Sequence, residues 1–194
     1  MTECGYKVLS DAQASHHGGA GKWEKGRWRT VKGDIVPCKN GLHYCRRDQL
    51  IGWLGPQIWV FEDGSPGETV DHGDKMVARR GRIVERCELW NETTARLFAA
   101  DVAEIALVYI PESHRDPFVA AINAARGFAR GEVSETGRAA AWAAAWDAAR
   151  AAAEAAARDA ARDAAGAAAW DAARDAARDA QTVILMEYLA GVRS

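Results

Sequence analysis

Apolar residues follow one rhythm before Trp90 and another after it. In the first stretch they come as short runs rich in β-branched and aromatic side chains: YKVL at 6–9, WRTV at 28–31 and IWVF at 58–61. Such side chains pack well on a pleated surface, so each run predicts a strand. KMVARRGRIVERCELW, at 75–90, alternates apolar and polar positions and has room for one strand or two. The segments HHGGAGK, KGD, EDGSPG and DHGD punctuate these runs and predict turns. In RRDQLIGWL, Leu50, Ile51, Trp53 and Leu54 gather on one side of a short helix over 46–54 that would cover a sheet face.

Beyond residue 90 the spacing becomes helical. NETTARLFAADVAEIALVYI sets Leu97, Phe98, Val102, Ile105 and Val108 on one face, with Asn91 as N-cap and Pro111 as the stop. In RDPFVAAINAARGFARG, Pro117 suits a first turn, and Phe118, Ile122, Ala125 and Phe128 form a stripe. Gly131 and SETG end that helix and cap the next. From 138 to 180, 26 of 43 residues are alanine, the best helix former, so the tract reads as helix rather than as a disordered linker. Its charges are spaced for local pairing: Asp147 with Arg150, Glu154 with Arg158, Asp171 with Arg174, Asp175 with Arg178. TVILMEYLAG then restores larger apolar residues. The expected fold is α+β: a small β-rich domain over 1–90 with one short helix, then an alanine-rich antiparallel helical bundle over 91–194.

The alanine tract repeats every four residues, and four steps advance a helix about 40° beyond a full turn. Trp142 and Trp146 therefore share a face, while Trp170 falls about 240° from Trp146 on an unbroken helix. A break at Gly166 would return all three to a common core; one long curved helix is the alternative. Alanine faces bury little area per contact, so larger residues must come from neighbouring helices or a second copy. Self-association is expected, with a dimer as the default homo-oligomer.

Charge removes some partners. The net charge is −2, the sequence pI is about 6.2, and 138–180 holds six Arg against seven acidic residues. General nucleic-acid binding and adhesion to anionic membranes would call for a basic chain. No apolar run approaches the roughly 18 to 20 residues of a membrane span, and MTECGYKVLSD lacks a secretory layout, so a cytoplasmic location is expected. Cys4, Cys38, Cys45 and Cys87 are irregularly spaced and read as reduced thiols. Cys38, His43 and Cys45 lie close together, but there is no CxxC pair or second half-site, so neither a metal nor another cofactor is expected.

Candidate chemistry concentrates in the first ninety residues. His43 and Tyr44 follow a glycine turn beside Cys45, Arg46 and Arg47, which could give a pocket with an aromatic ring and a guanidinium clamp for phosphate or carboxylate. With Trp59 and Lys75 they make the candidate ligand-binding set: His43, Tyr44, Arg46, Arg47, Trp59 and Lys75. The competing reading is a strand with His43 hydrogen-bonded inside and the arginines in solvent. HHGGAGK has the glycines of a phosphate loop but not its spacing, because Trp23 follows Lys22. Arg79, Arg80 and Arg82 read as a solvated strand edge. Of Trp23, Trp28, Trp53, Trp59 and Trp90, most should be core and one or two should line a cleft. No Ser–His–Asp, HExxH or paired-carboxylate pattern stands at recognisable spacing, so no catalytic residue is named and binding is favoured over chemistry.

The segment ARLFAADVAEIALVYIPESHRDPFVAAINAARGFARGEVSETGRAAAWAAAWDAAR resembles a bacterial immunity-protein family of alanine-rich helical domains, over about 94–182. Val102 stands where that family has Cys in its RLFA-DCAE-like helix. The first half resembles an uncharacterised phage and actinobacterial domain through YKVL, HHGG, VPCKNGLHYCR, WLGP and DKMVARR. NGLHYCRRDQLIGWLG is similar in layout to a segment of ADP-ribosyltransferase folds, with Lys7 the one basic residue in the first strand and Glu85 or Glu88 available as the acid. These resemblances imply a non-enzymatic phage or bacterial conflict protein, immunity-like or anti-defence, that neutralises a toxin or defence protein or a nucleotide-type signalling molecule. The alternative they imply is a nucleotide sponge or a transferase-like domain acting on an NAD-derived ligand.

Overall fold

Among the residues that the computed structural model describes, 5–16, 21–143 and 167–193, the β-branched runs form strands and the helical spacings form helices. The structure is mixed α+β with antiparallel sheets, and the chain divides into two compact units, Met1–Asn91 and Glu92–Ser194.

In the first unit, β1 (Gly5–Leu9), β2 (Arg29–Thr30), β4 (Gln57–Asp63) and β7 (Arg80–Arg86) form one sheet in the order β1-β4-β7-β2. A second sheet has the order β3-β6-β5, from β3 (Leu42–Tyr44), β5 (Val70–Asp71) and β6 (Met76–Ala78). The alternating run at 75–90 thus holds two strands in different sheets, with Arg79 alone between them. A second seam joins the sheets where Tyr6 and Cys45 exchange backbone hydrogen bonds of 2.8 Å each. Between the seams lies a core of Leu9, Trp23, Leu42, Trp59, Phe61, Ala78 and Ile83. Trp23 meets Phe61 edge-on at 6.1 Å, and Tyr44 stacks on the same ring at 4.5 Å. Glycine is required at two of these approaches: a Cβ on Gly81 would overlap the Phe61 ring, and one on Gly5 the Tyr44 ring.

The helix expected over 46–54 is shorter, a single tight turn at Leu50–Trp53. It stops at Trp53 because Leu54 turns extended ahead of Gly55 and Pro56. The turn is held from before its start: Arg46 N–H donates to Gln49 Oε1 at 2.9 Å, and Gln49 Nε2 donates to Gly73 O at 2.9 Å.

In the second unit, α1 (Glu92–Ile105) buries Leu97, Phe98, Ala100 and Asp101. The chain then tightens into a 3-10 turn at Ala106–Tyr109 before extended Ile110 and Pro111. This overturns one expectation: Val108, assigned to the buried face, is 68 % exposed, because the tighter turn rotates it off the stripe. α2 (Asp116–Ala129) has Pro117 in its first turn and ends at Gly131, whose φ is +75°. Ser134 caps the next helix, α3, described over 135–143, by accepting the Gly137 N–H at 3.2 Å. α4 (Ala167–Leu189) buries Leu185 and Tyr188, and Tyr188 meets Phe98 edge-on at 6.3 Å. Trp142, expected in a common core, is 63 % exposed. The expectations resting on Trp146, Gly166, the Trp170 side chain, the four charge pairs, Cys4 and the glycines of HHGG lie outside the described residues or side chains. No described helix is long and apolar enough to cross a membrane.

Candidate functional site

A cavity of about 300 Å3 opens in the first unit beside the Tyr6–Cys45 seam. β1 supplies Tyr6, Lys7 and Val8 to its wall; the turn before β3, β3 itself and Cys45 supply one side; Trp53 and Lys75 complete it. Among the described residues lining it none is acidic, whereas Lys7, Lys39, Lys75 and two histidines are present.

Lys7 and Lys75 are the unusual members, at 6 % and 8 % exposure. Lysine is almost never buried unless paired. Lys7 follows from the strand period: β1 places it two positions from Leu9, on the core-facing side. Its Nζ donates to the His43 carbonyl at 2.6 Å and sits 5.1 Å from the centre of the Trp23 ring, with Arg29 at 4.6 Å from that ring. Burial draws its pKa down from 10.5 to about 8, with a smaller opposing effect from Cys45 and an added lowering from Arg29. Lys75 differs: its Nζ lies 3.4 Å from Asp74 Oδ2 and 4.6 Å from the centre of the Trp53 ring, and the Trp53 indole donates to Asp74 O at 2.7 Å. The Cys45 thiol is pushed up to about 12, chiefly by burial, so it stays protonated at neutral pH.

His43 Nε2 accepts the Cys38 N–H at 3.0 Å, which requires the neutral ring with its proton on Nδ1. The bond holds Cys38 in the left-handed region, φ +64°. Burial lowers the His43 pKa below 6.5, and the charges of Lys7, Lys75 and His72 lower it further. The folded state therefore resists protonation that the unfolded chain accepts, so stability falls as pH drops below about 6.5 towards the folded value. Amide exchange should show it: the Cys38 N–H is expected to lose protection on acidification from pH 7 to 5, and His43→Gln to weaken that pH dependence.

Of the residues expected at the site, His43, Tyr44 and Lys75 line the cavity. Tyr44 does so at a cost to its expected role, since one ring face is stacked on Phe61 and its hydroxyl donates to Asp63 Oδ2 at 3.2 Å. Burial, then Asp63, raises its pKa. Arg46, Arg47 and Trp59 are elsewhere. Arg46 is bound to Asp71 at 2.5 Å and to Asp48 at 3.3 Å, fastening the turn after β3 to β5 instead of clamping an anion. Arg47 is exposed. Trp59 shares the inner face of β4 with Phe61 and donates to Gln57 Oε1 at 3.0 Å within the core. Glu85 lies in β7, Glu88 lies 3.5 Å from Arg86, and neither lines the cavity. Lys7 and Trp53 were missing from the expected set. A lone lysine at a core-facing position of an apolar strand was the available signal for the first; for the second only the fold could supply it.

Arg79 is ion-paired with Glu68, Arg82 with Glu62 at 2.7 Å, and Arg80 and Arg82 lie over the Trp28 ring at 4.3 and 4.5 Å. Among the described residues no group of three or more His, Cys, Asp or Glu side chains could hold a metal ion. The chain matches no protein-family model, and neither the curated proteins nor the solved structures contain a significant match to it.

Proposed function

We propose that the first unit binds a small anionic molecule of nucleotide type in the Lys7–Lys75 cavity. The observation that carries the reading is a cavity walled by two buried lysines, with no acidic residue among the described lining residues. Without a ligand, buried Lys7 has no counter-charge among the described residues and Lys75 has Asp74 at 3.4 Å; an anion between them offsets the cost of burying Lys7. A volume of about 300 Å3 is at the small end of ligand pockets, which fits a mononucleotide or sugar phosphate better than a dinucleotide. Trp53 offers an aromatic wall next to the Lys75 ammonium. Transferase chemistry on an NAD-derived ligand would need a carboxylate, and none is among the described lining residues, so sequestration is the favoured reading.

In this proposal the chain is a cytoplasmic conflict protein, immunity-like or anti-defence, that withholds a signalling ligand. The alanine-rich helices form an antiparallel scaffold that self-associates, and exposed Trp142 on α3 is one of the large apolar side chains available for that contact. Support for the conflict setting comes from the family resemblances of the two halves.

A thermal-shift series with AMP, ribose 5-phosphate and uncharged adenosine tests the binding. The anions are expected to raise the melting temperature progressively with the logarithm of concentration above their Kd, and adenosine to do so far less. Lys75→Met is expected to weaken AMP binding about tenfold, or about 1.4 kcal/mol. Equal shifts with adenosine, or none with any ligand at millimolar concentration, would sink the reading.

A further inference from the structure

We infer that Lys7 captures its ligand covalently, forming a reversible imine with an aldehyde or ketone group on the anionic molecule held in the cavity. The inference rests on the binding proposed above and narrows its ligand to anions with a free or latent carbonyl, such as sugar phosphates open at the anomeric carbon or small oxo-acids.

The two lysines are chemically unequal. Lys75 has a carboxylate at 3.4 Å and stays a cation that can hold an anion. Lys7 has no carboxylate partner among the described residues; one carbonyl, that of His43, is its single hydrogen-bond acceptor there. An ammonium carries three N–H groups, so two would go without an acceptor at 6 % exposure. A neutral amine needs less: one N–H is fixed on His43 O and the nitrogen keeps a lone pair. The Lys7 pKa near 8 agrees with that geometry and leaves about a tenth of it as amine at pH 7, against less than about a thousandth for an exposed lysine.

The step balances without any further reagent. The Nζ lone pair forms a bond to the carbonyl carbon, and the C=O π pair moves to oxygen. The proton lost by nitrogen matches the one gained by oxygen, giving a carbinolamine. The C–O bond then breaks and water leaves, so amine plus carbonyl yields iminium and water once one proton has been taken up. The iminium retains one N–H, which can stay on His43 O. Apolar walls from Val8 and the Trp53 ring favour the loss of water.

Incubating the full chain with ribose 5-phosphate, and separately with glyoxylate, in the presence of cyanoborohydride would trap the imine as a stable amine. Peptide mapping is expected to place one adduct on Lys7, forming about tenfold faster than on exposed Lys22, Lys25 and Lys32. Its rate should rise with pH to a plateau above about 8. Lys7→Arg should abolish it while keeping a donor for His43 O; should that variant misfold, mapping of the wild-type chain decides alone. Label confined to surface lysines, or no label, would overturn the inference. A thermal shift with AMP, which has no carbonyl, separates the two proposals. A shift without a Lys7 adduct rejects covalent capture and leaves binding intact; neither shift nor adduct rejects both.

Discussion

Exchanging Asp101 for asparagine is expected to destabilise the helical unit by about 3–5 kcal/mol, the usual loss on breaking a buried ion pair. Asp101 lies in α1 at 7 % exposure. Its Oδ1 accepts from Arg126 Nη2 at 2.6 Å and Nε at 3.1 Å; its Oδ2 accepts from the Tyr188 hydroxyl at 2.9 Å and from Arg193 Nη1 at 2.7 Å. One carboxylate therefore ties α1 to α2, to the last turn of α4 and to the tail. An amide would turn an NH2 towards one of these donors and remove the charge both guanidinium groups share. Glu104 at 2.6 Å from Arg126 and Glu187 at 3.0 Å from Arg193 soften the loss, which favours the lower figure. Burial pushes the Asp101 pKa up, but the bonds from Arg126, Arg193 and Tyr188 outweigh it and hold the carboxyl below its ordinary 3.8. The stabilisation is thus complete above about pH 4 and is lost as pH falls through the lowered folded value. Urea unfolding of wild type and variant at pH 7 and pH 3 checks both claims: the gap should be widest at pH 7 and smaller by about 1 kcal/mol at pH 3. A gap under about 1 kcal/mol at pH 7 would show that the cluster is a surface pair in energetic terms.

Lys7→Met should act in the opposite direction, making the first unit more stable at pH 7 by about 2 kcal/mol. The Lys7 amine titrates near 8 in the folded chain and near 10.5 when unfolded. Between those values the unfolded chain binds a proton that the native state refuses, so wild-type stability rises with pH across the interval, by up to about 3 kcal/mol. Below pH 8 the full cost of the buried charge is present. Methionine removes that cost and gives up one hydrogen bond to His43 O, about 1 kcal/mol. The gain should vanish by pH 10.5, where the folded lysine is neutral and the unfolded one is half-deprotonated. Denaturation midpoints at the two pH values settle the sign, and a variant less stable at pH 7 would show that the ammonium contributes to the fold. A gain in stability with loss of ligand binding is the expected pattern for a residue retained for function.

The strands and helices were legible because local spacing specified them. YKVL, IWVF and LFAADVAEI announce β1, β4 and α1 through period alone. Polar positions were harder, because their roles depend on partners distant in sequence. Arg46 looks like an anion clamp until Asp71, 25 residues away, is brought beside it. Asp101 sits inside an apolar helical stripe, and only the arrival of Arg126 and Arg193 makes its burial intelligible. Trp59 and Trp53 are equally aromatic in the sequence; pairing of β4 with β1 and β7 sends the first to the core, and the turn at Leu50–Trp53 sends the second to the cavity. Lys7 was the one site residue whose position could be read from the strand period, had its charge in an apolar run been taken as a signal.

The cavity can be tested most directly by titrating the isotopically labelled full chain with AMP and following NMR shifts. Saturable shifts should concentrate on the Trp53 indole N–H and on backbone amides of 6–8, 38–45 and 75, with little change at Trp28 and Arg79–Arg82. Shifts confined to that arginine edge, or no saturable shift anywhere, would contradict an anion site built on Lys7 and Lys75.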